Sequence, residues 1–157
     1  MTKLLTRFFG APEEINGGQR CPTYLFRWEV FRSKPVKAYL HRFVGEDWSS
    51  DLHDHPRRFV SIGIWGSYVE TTAAGNERFR APWFRSFPAE HAHRIAVDPG
   101  KVCWTFVLVF PITRQWGFWN QGRWIYWRDY VFGSEKHLAD AARTCGASES
   151  FGAGKGK

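Results

Sequence analysis

Asp51-Leu52-His53-Asp54-His55-Pro56-Arg57 is the stretch whose reading decides the fold. In an extended backbone successive side chains point to opposite faces, so His53 and His55 share a side and Asp54 turns away. Neutral imidazoles are the commonest nitrogen ligands of zinc, iron, copper and nickel, so an H-x-H pair supplies half of a metal site. Surface histidines also fall at this spacing by chance, and the pair gains meaning only with a second half. Glu90-His91-Ala92-His93 offers one, further along in another β-rich segment. His91 and His93 again share a face if that segment is extended, while Glu90 points to the rim. A small barrel can bring two such strands opposite each other around one interior point.

The flanking sequence reads as short strands between turns. Tyr24 to Phe31 and Val36 to Val44 alternate with period two, and Gly45-Glu46-Asp47 turns the chain into the histidine stretch. Arg58 to Trp65 is a β-run that Gly66-Ser67 is expected to fold back into Tyr68 to Thr72. Glu77 to Arg80 and Trp83 to Phe87 flank Pro82. His91 to Val97 ends at Asp98-Pro99-Gly100, and Val102 to Phe110 is the most apolar run and therefore central. Gln115 to Trp119 and Arg123 to Trp127 make a hairpin around Asn120-Gln121-Gly122. One helix is expected, with Ser134 as N-cap, Glu135 in the first turn and Leu138, Ala141, Ala142 and Cys145 as its apolar stripe before Gly146. The expected architecture is all-β: a single-domain sandwich or barrel over residues 1–146 with one C-terminal helix, and a disordered tail over 147–157.

Composition bounds the function. Aromatic residues make up 18% of the chain, nine of them Trp, which suits sheets. Net charge is +7, carried by fifteen Arg against seven Lys, which favours an anionic partner such as a carboxylate or phosphate ligand. Arg57-Arg58 is the only adjacent basic pair, so nucleic acid ranks last among partners. The three cysteines, Cys21, Cys103 and Cys145, form no C-x-x-C. No secretory signal or membrane-spanning apolar run is evident, and the expectation is a reduced, cytoplasmic compartment. Exposed sheet edges and abundant Trp suit a homodimer.

The two histidine segments together resemble the cupin superfamily. Its first motif carries H-x-H at a strand start, then apolar residues and a glycine turn, matched by His53-x-His55, Phe59 to Trp65 and Gly66. Its second motif, P-x-G-x-x-H, is matched at both ends by Pro88-x-Glu90-x-x-His93, with Glu in place of Gly. The resemblance spans roughly residues 36 to 112 and implies a jelly-roll, or double-stranded β-helix, with His93 as third ligand. The glutamate that usually follows the second histidine is replaced by Phe59 or Val60, which implies a three-histidine site.

Ser49 to His55, Gly66 to Thr71 and His93-Arg94-Ile95 are further similar to the thiol dioxygenases of the cysteine dioxygenase type. That resemblance implies Fe(II) held by His53, His55 and His93, with Arg27 as clamp for a substrate carboxylate. Phe110 stands where that family has a catalytic tyrosine, and Val60 where some members have a cross-linked cysteine. His91 is a candidate fourth ligand or acid/base group. Arg42 and Arg94 are lesser anion-binding candidates, and His41 is a candidate cavity residue. One or two of Trp65, Trp83, Trp104, Trp116 and Trp119 are expected to line a pocket, and Asp54 to pair with Arg57. The leading expectation is a metal-dependent, dioxygenase-like oxidoreductase acting on a small anionic substrate. The alternatives are a cupin isomerase or epimerase using Zn, Ni or Mn, and a non-catalytic module that binds a small molecule or protein.

Overall fold

The structure, a computed structural model, describes residues 2–17 and 21–143. Cys145, Gly146 and the tail expected at 147–157 lie outside them. Its strands are β1 (Glu13–Ile15), β2 (Leu25–Arg32), β3 (Lys37–Phe43), β4 (Leu52–His53), β5 (Phe59–Trp65), β6 (Ser67–Thr72), β7 (Gly75–Arg80), β8 (Trp83–Phe87), β9 (Arg94–Ala96), β10 (Cys103–Val109), β11 (Gly117–Asn120) and β12 (Arg123–Tyr126). Three helices join them: α1 (Thr2–Phe9), α2 (Trp127–Val131) and α3 (Lys136–Ala142).

β1-β2-β3-β10-β5-β8 form a six-stranded sheet, with β12-β11-β4 and β7-β6-β9 as two three-stranded sheets. The apolar run at β10 is central, paired with β3 on one side and β5 on the other. Period-two alternation sets the two faces of the large sheet. Arg27, Tyr39, His41, Ser61, Thr105 and Val107 line an interior cavity of about 390 Å³. Trp28 and Trp104 project from the other face and stack at 5.7 Å. The two small sheets are linked where His53 and His93 form an isolated antiparallel bridge.

The chain changes sheets at Gly66. The expected hairpin from the β5 run into β6 is corrected: β5 pairs with β10 and β8, whereas β6 pairs with β7 and β9. Gly66 has φ +81°, and a Cβ there would stand 2.1 Å from the Val102 carbonyl oxygen. A left-handed glycine therefore sends the strand across the fold instead of back along its neighbour. The 120–122 hairpin is as expected. Asn120 pairs with Arg123 around Gln121 and Gly122, both at positive φ, the signature of a type I′ turn.

Two cores result. Leu25, Phe43, Tyr68, Ile95, Val97 and Cys103 pack between the sheets. Phe118, Ile125, Tyr130, Ala139 and Ala142 form a second cluster beneath α2 and α3. The late helix exists with changes: Glu135 is its N-cap residue, without a side-chain cap, and its buried positions are Ala139 and Ala142. Ser134 lies outside it and Ala141 is exposed. Helices α1 and α2 were not expected. Cys21 is disulfide-bonded and Cys103 is a free buried thiol, so the inference of a reduced compartment loses its footing in the cysteines. Among the described residues, no helix is long and apolar enough to cross a membrane.

Candidate metal centre

The backbone itself brings the two histidine segments together. His53 and His93 exchange both main-chain hydrogen bonds, each 3.0 Å. Directly opposed residues of an antiparallel pair project to the same face, and their rings lie 5.3 Å apart. His55 follows, its N–H donating to the Ala89 carbonyl at 2.9 Å. Its Nε2 comes to 2.9 Å from Nε2 of His93. Each of the three histidines offers a ring nitrogen, all within 4.8 Å of one another. With metal–nitrogen bonds of about 2.1 Å, two cis nitrogens on one ion lie about 3.0 Å apart, so the His55–His93 spacing fits a shared ion.

Protonation is arranged to match. Glu70 on β6 is 1% exposed, and its Oε1 faces His93 Nδ1 at 2.6 Å and His91 Nε2 at 2.9 Å. A carboxylate only accepts, so both nitrogens donate, and in the neutral tautomer of His93 the lone pair is on Nε2, toward His55. Arg85 donates to the other oxygen, Oε2, at 2.9 Å. Burial opposes the charge on Glu70, but the hydrogen bonds from His91 and His93 outweigh it and hold the carboxyl far below its ordinary range. Burial pushes His53 down to about 4, and burial together with the neighbouring His93 pushes His55 well down. At neutral pH both are unprotonated, the form that binds metals.

The acids of the first segment anchor it. Asp54 is 1% exposed and accepts from Gly117 N at 2.8 Å and Trp124 Nε1 at 2.9 Å, with Arg114 at 2.8 Å. The expected pair with Arg57 is thereby corrected: Asp54 points into the fold, where Arg114, β11 and β12 supply its partners. Asp51 accepts from Tyr130 Oη at 2.7 Å and from Asn120 Nδ2 at 3.1 Å. Asp47 accepts from Ile95 N at 2.8 Å and lies 3.7 Å from His53 Nδ1.

Other candidates are dispersed. Arg27 lines the cavity, but its Nε and NH2 nitrogens donate to Glu13 Oε2 at 3.1 and 2.7 Å. His91 sits beside Glu70 and His93, a second group with metal-ligand chemistry. Its segment turns, with N–H donating to the Pro88 carbonyl, instead of extending. Arg85 against Glu70 gives that group the character of a hydrogen-bonded hub. Glu90 stands at the surface with its side chain 69% exposed. His41 lines the cavity; Arg94 pairs with Glu46, and Arg42 lies over Phe26 and Trp104. None of the five tryptophans lines the cavity; its aromatic wall is Tyr24, Tyr39, Phe43, Phe59, Tyr68 and Phe87. Trp65 is 66% exposed and Trp119 40%. Phe110 is not among the lining residues, whereas three tyrosines are.

No family model matches the sequence, and no curated protein matches it. Solved structures do resemble it. A sugar phosphate isomerase from a cupin superfamily of Silicibacter pomeroyi aligns at 14% identity and TM-score 0.52, over 60% of this chain and 65% of that one. The fold is that of a cupin. The EutQ protein of Clostridium difficile aligns at 9% identity and TM-score 0.52, over 62% of this chain and 75% of its own. The polyketide cyclase RemF of Streptomyces resistomycificus aligns at 14% identity and TM-score 0.51, over 73% and 84%. At these identities the likeness is one of fold.

Within this fold the residues that sequence reasoning missed are the ones that orient the ligands. Glu70 is the chief of them. It occupies a buried position on β6 two residues from the buried Tyr68, so an acid on the apolar phase of a strand was the available signal. Asp47 and Arg85 carried no comparable mark.

Proposed function

We propose that this cupin is a metal-dependent enzyme acting on a small anionic molecule, with His53, His55 and His93 holding one divalent ion. The observation that supports it is the convergence of three imidazole nitrogens within 4.8 Å of one another beside a cavity of about 390 Å³. That volume falls in the range of ligand pockets. Three histidines leave coordination positions free, and Fe(II) held in this way supplies dioxygen activation on a bound substrate. The chain's own part is to keep the lone pairs aimed, through Glu70 on His93, and to shield the site behind Phe59 and Phe87. Arg27 on the cavity wall is already paired with Glu13 at 2.7 Å, so the substrate's anionic group is assigned to the open positions at the three histidines instead of to the Arg27 clamp.

Purified protein should bind about one Fe(II), and His55→Ala should abolish binding and metal-dependent oxygen consumption together. Full metal content in the variant would remove His55 from the site. An isomerase or epimerase using Zn, Ni or Mn is the second reading, favoured by the structural likeness to the sugar phosphate isomerase of Silicibacter pomeroyi. Turnover without oxygen separates the two.

A further inference from the structure

Two polar groups on the cavity wall take no part in the metal centre. Thr105 on β10 is 1% exposed, and His41 on β3 is its register partner across the ladder. Both line the cavity that His53, His55 and His93 line. Thr105 Oγ1 and His41 Nε2 are buried, and neither meets a partner among the described residues. The other orphaned side-chain atoms belong to Trp28, Glu46, Trp83, Arg94 and Arg143, none of which lines the cavity. Buried hydroxyls and ring nitrogens are nearly always hydrogen-bonded, so an adjacent pair turned into one cavity marks a place where something is received.

Charge defines what is received. Arg27 is the other register neighbour of His41, so a row Arg27–His41–Thr105 crosses three strands. Its one cation is already matched by Glu13 at 2.7 Å. Burial, reinforced by Arg27, holds His41 down at about 3 and hence neutral. The free hydrogen-bonding capacity of the row is therefore uncharged. The pair also sits apart from the histidines: Phe59, whose ring meets His55 at 4.7 Å, lies four residues along β5 from Gly63, the partner of Thr105.

We infer that Thr105 and His41 form a second pole of the ligand site, which takes a neutral hydroxyl or carbonyl group of a small molecule whose anionic end lies at the three histidines. The inference rests on reading those histidines as the metal centre. A hydroxyl suits both partners, because it donates one hydrogen bond and accepts others.

The test is calorimetric titration of Co(II)-loaded protein with 5-hydroxypentanoate and with pentanoate. The hydroxylated probe should bind about tenfold more tightly, the worth of one or two net hydrogen bonds. Thr105→Val, nearly the same in shape, should erase that preference while Co(II) stoichiometry and pentanoate affinity stay unchanged, and His41→Phe should reduce it. Equal affinities in the unaltered protein, as expected if ordered water alone satisfies the pair, would overturn the inference. So would a preference that survives Thr105→Val, or no binding of either probe at millimolar concentration. Failure to bind Co(II) would instead strike the metal reading, and the hydroxyl preference of the metal-free protein would then decide this one by itself.

Discussion

The two segments that carry the histidines are held in different ways. The first, around His53 and His55, is fixed from behind: Asp51 and Asp54 reach away from the rings to Tyr130, Gly117, Trp124 and Arg114. The second, around His93, is fixed through the ring itself, by the Glu70 carboxylate at 2.6 Å. One segment is placed by side chains that do not line the cavity, the other by a carboxylate that also sets which nitrogen is free. Disturbing the first should therefore damage the fold and the site together, while disturbing the second should damage the site alone.

The largest expected effect is that of Asp54→Ala. It strands an indole N–H and a backbone N–H and removes the buried carboxylate that faces the half-buried Arg114. Leaving two buried donors unpaired costs about 1–3 kcal/mol each, a large share of a domain's usual 5–15 kcal/mol. Urea unfolding should show that loss, and metal stoichiometry should fall with it because the substituted residue lies between two ligands. A stability loss under 1 kcal/mol would show that the segment is held by something else.

Glu70→Gln should separate the two modes of support. The amide keeps the shape but no longer draws the Nδ1 proton of His93 with a full charge, so metal affinity should fall by about 10–100-fold. Stoichiometry should stay near one, and the nitrogen-15 shifts of His93 should report a mixture of tautomers. Unchanged affinity and an unchanged tautomer would demote Glu70 to a structural residue.

Much of the first segment and little of the second was legible in the sequence. His53 and His55 share a face because β4 and its exit are extended, so period two applied. At 88–91 the chain turns, and alternation gave no information about His91. The ladders at β2, β3, β5 and β10 followed from their apolar phase, whereas the Gly66 crossing did not. A glycine turn between two β-runs is compatible with a hairpin or a change of sheet, and only long-range pairing decides. Spacing alone pairs Asp54 with Arg57, whereas its actual partners lie on and beside β11 and β12, some 60 to 70 residues later. The short α1 buries none of its residues, and its four-residue apolar spread in eight positions was too brief to distinguish from a loop.

The smallest effect concerns pH in the metal-free protein. His53, lowered to about 4, and His41, lowered to about 3, both lie below the ordinary value of 6.5. Between the folded and unfolded values the unfolded chain binds more protons, so acid favours unfolding. The stability tied to these neutral rings is fully present above about pH 6.5 and is lost as pH falls toward the folded values. For each ring the loss is about 0.7 kcal/mol between pH 7 and pH 6, steepening to about 1.4 kcal/mol per unit below. Unfolding free energies at pH 7, 6 and 5 measure it, and His41→Phe, provided it folds, should flatten the slope by one histidine's share. A profile that stays level or rises on acidification would mean that these rings are solvated, and the burial of His53 that supports the first segment's rigidity would go with it.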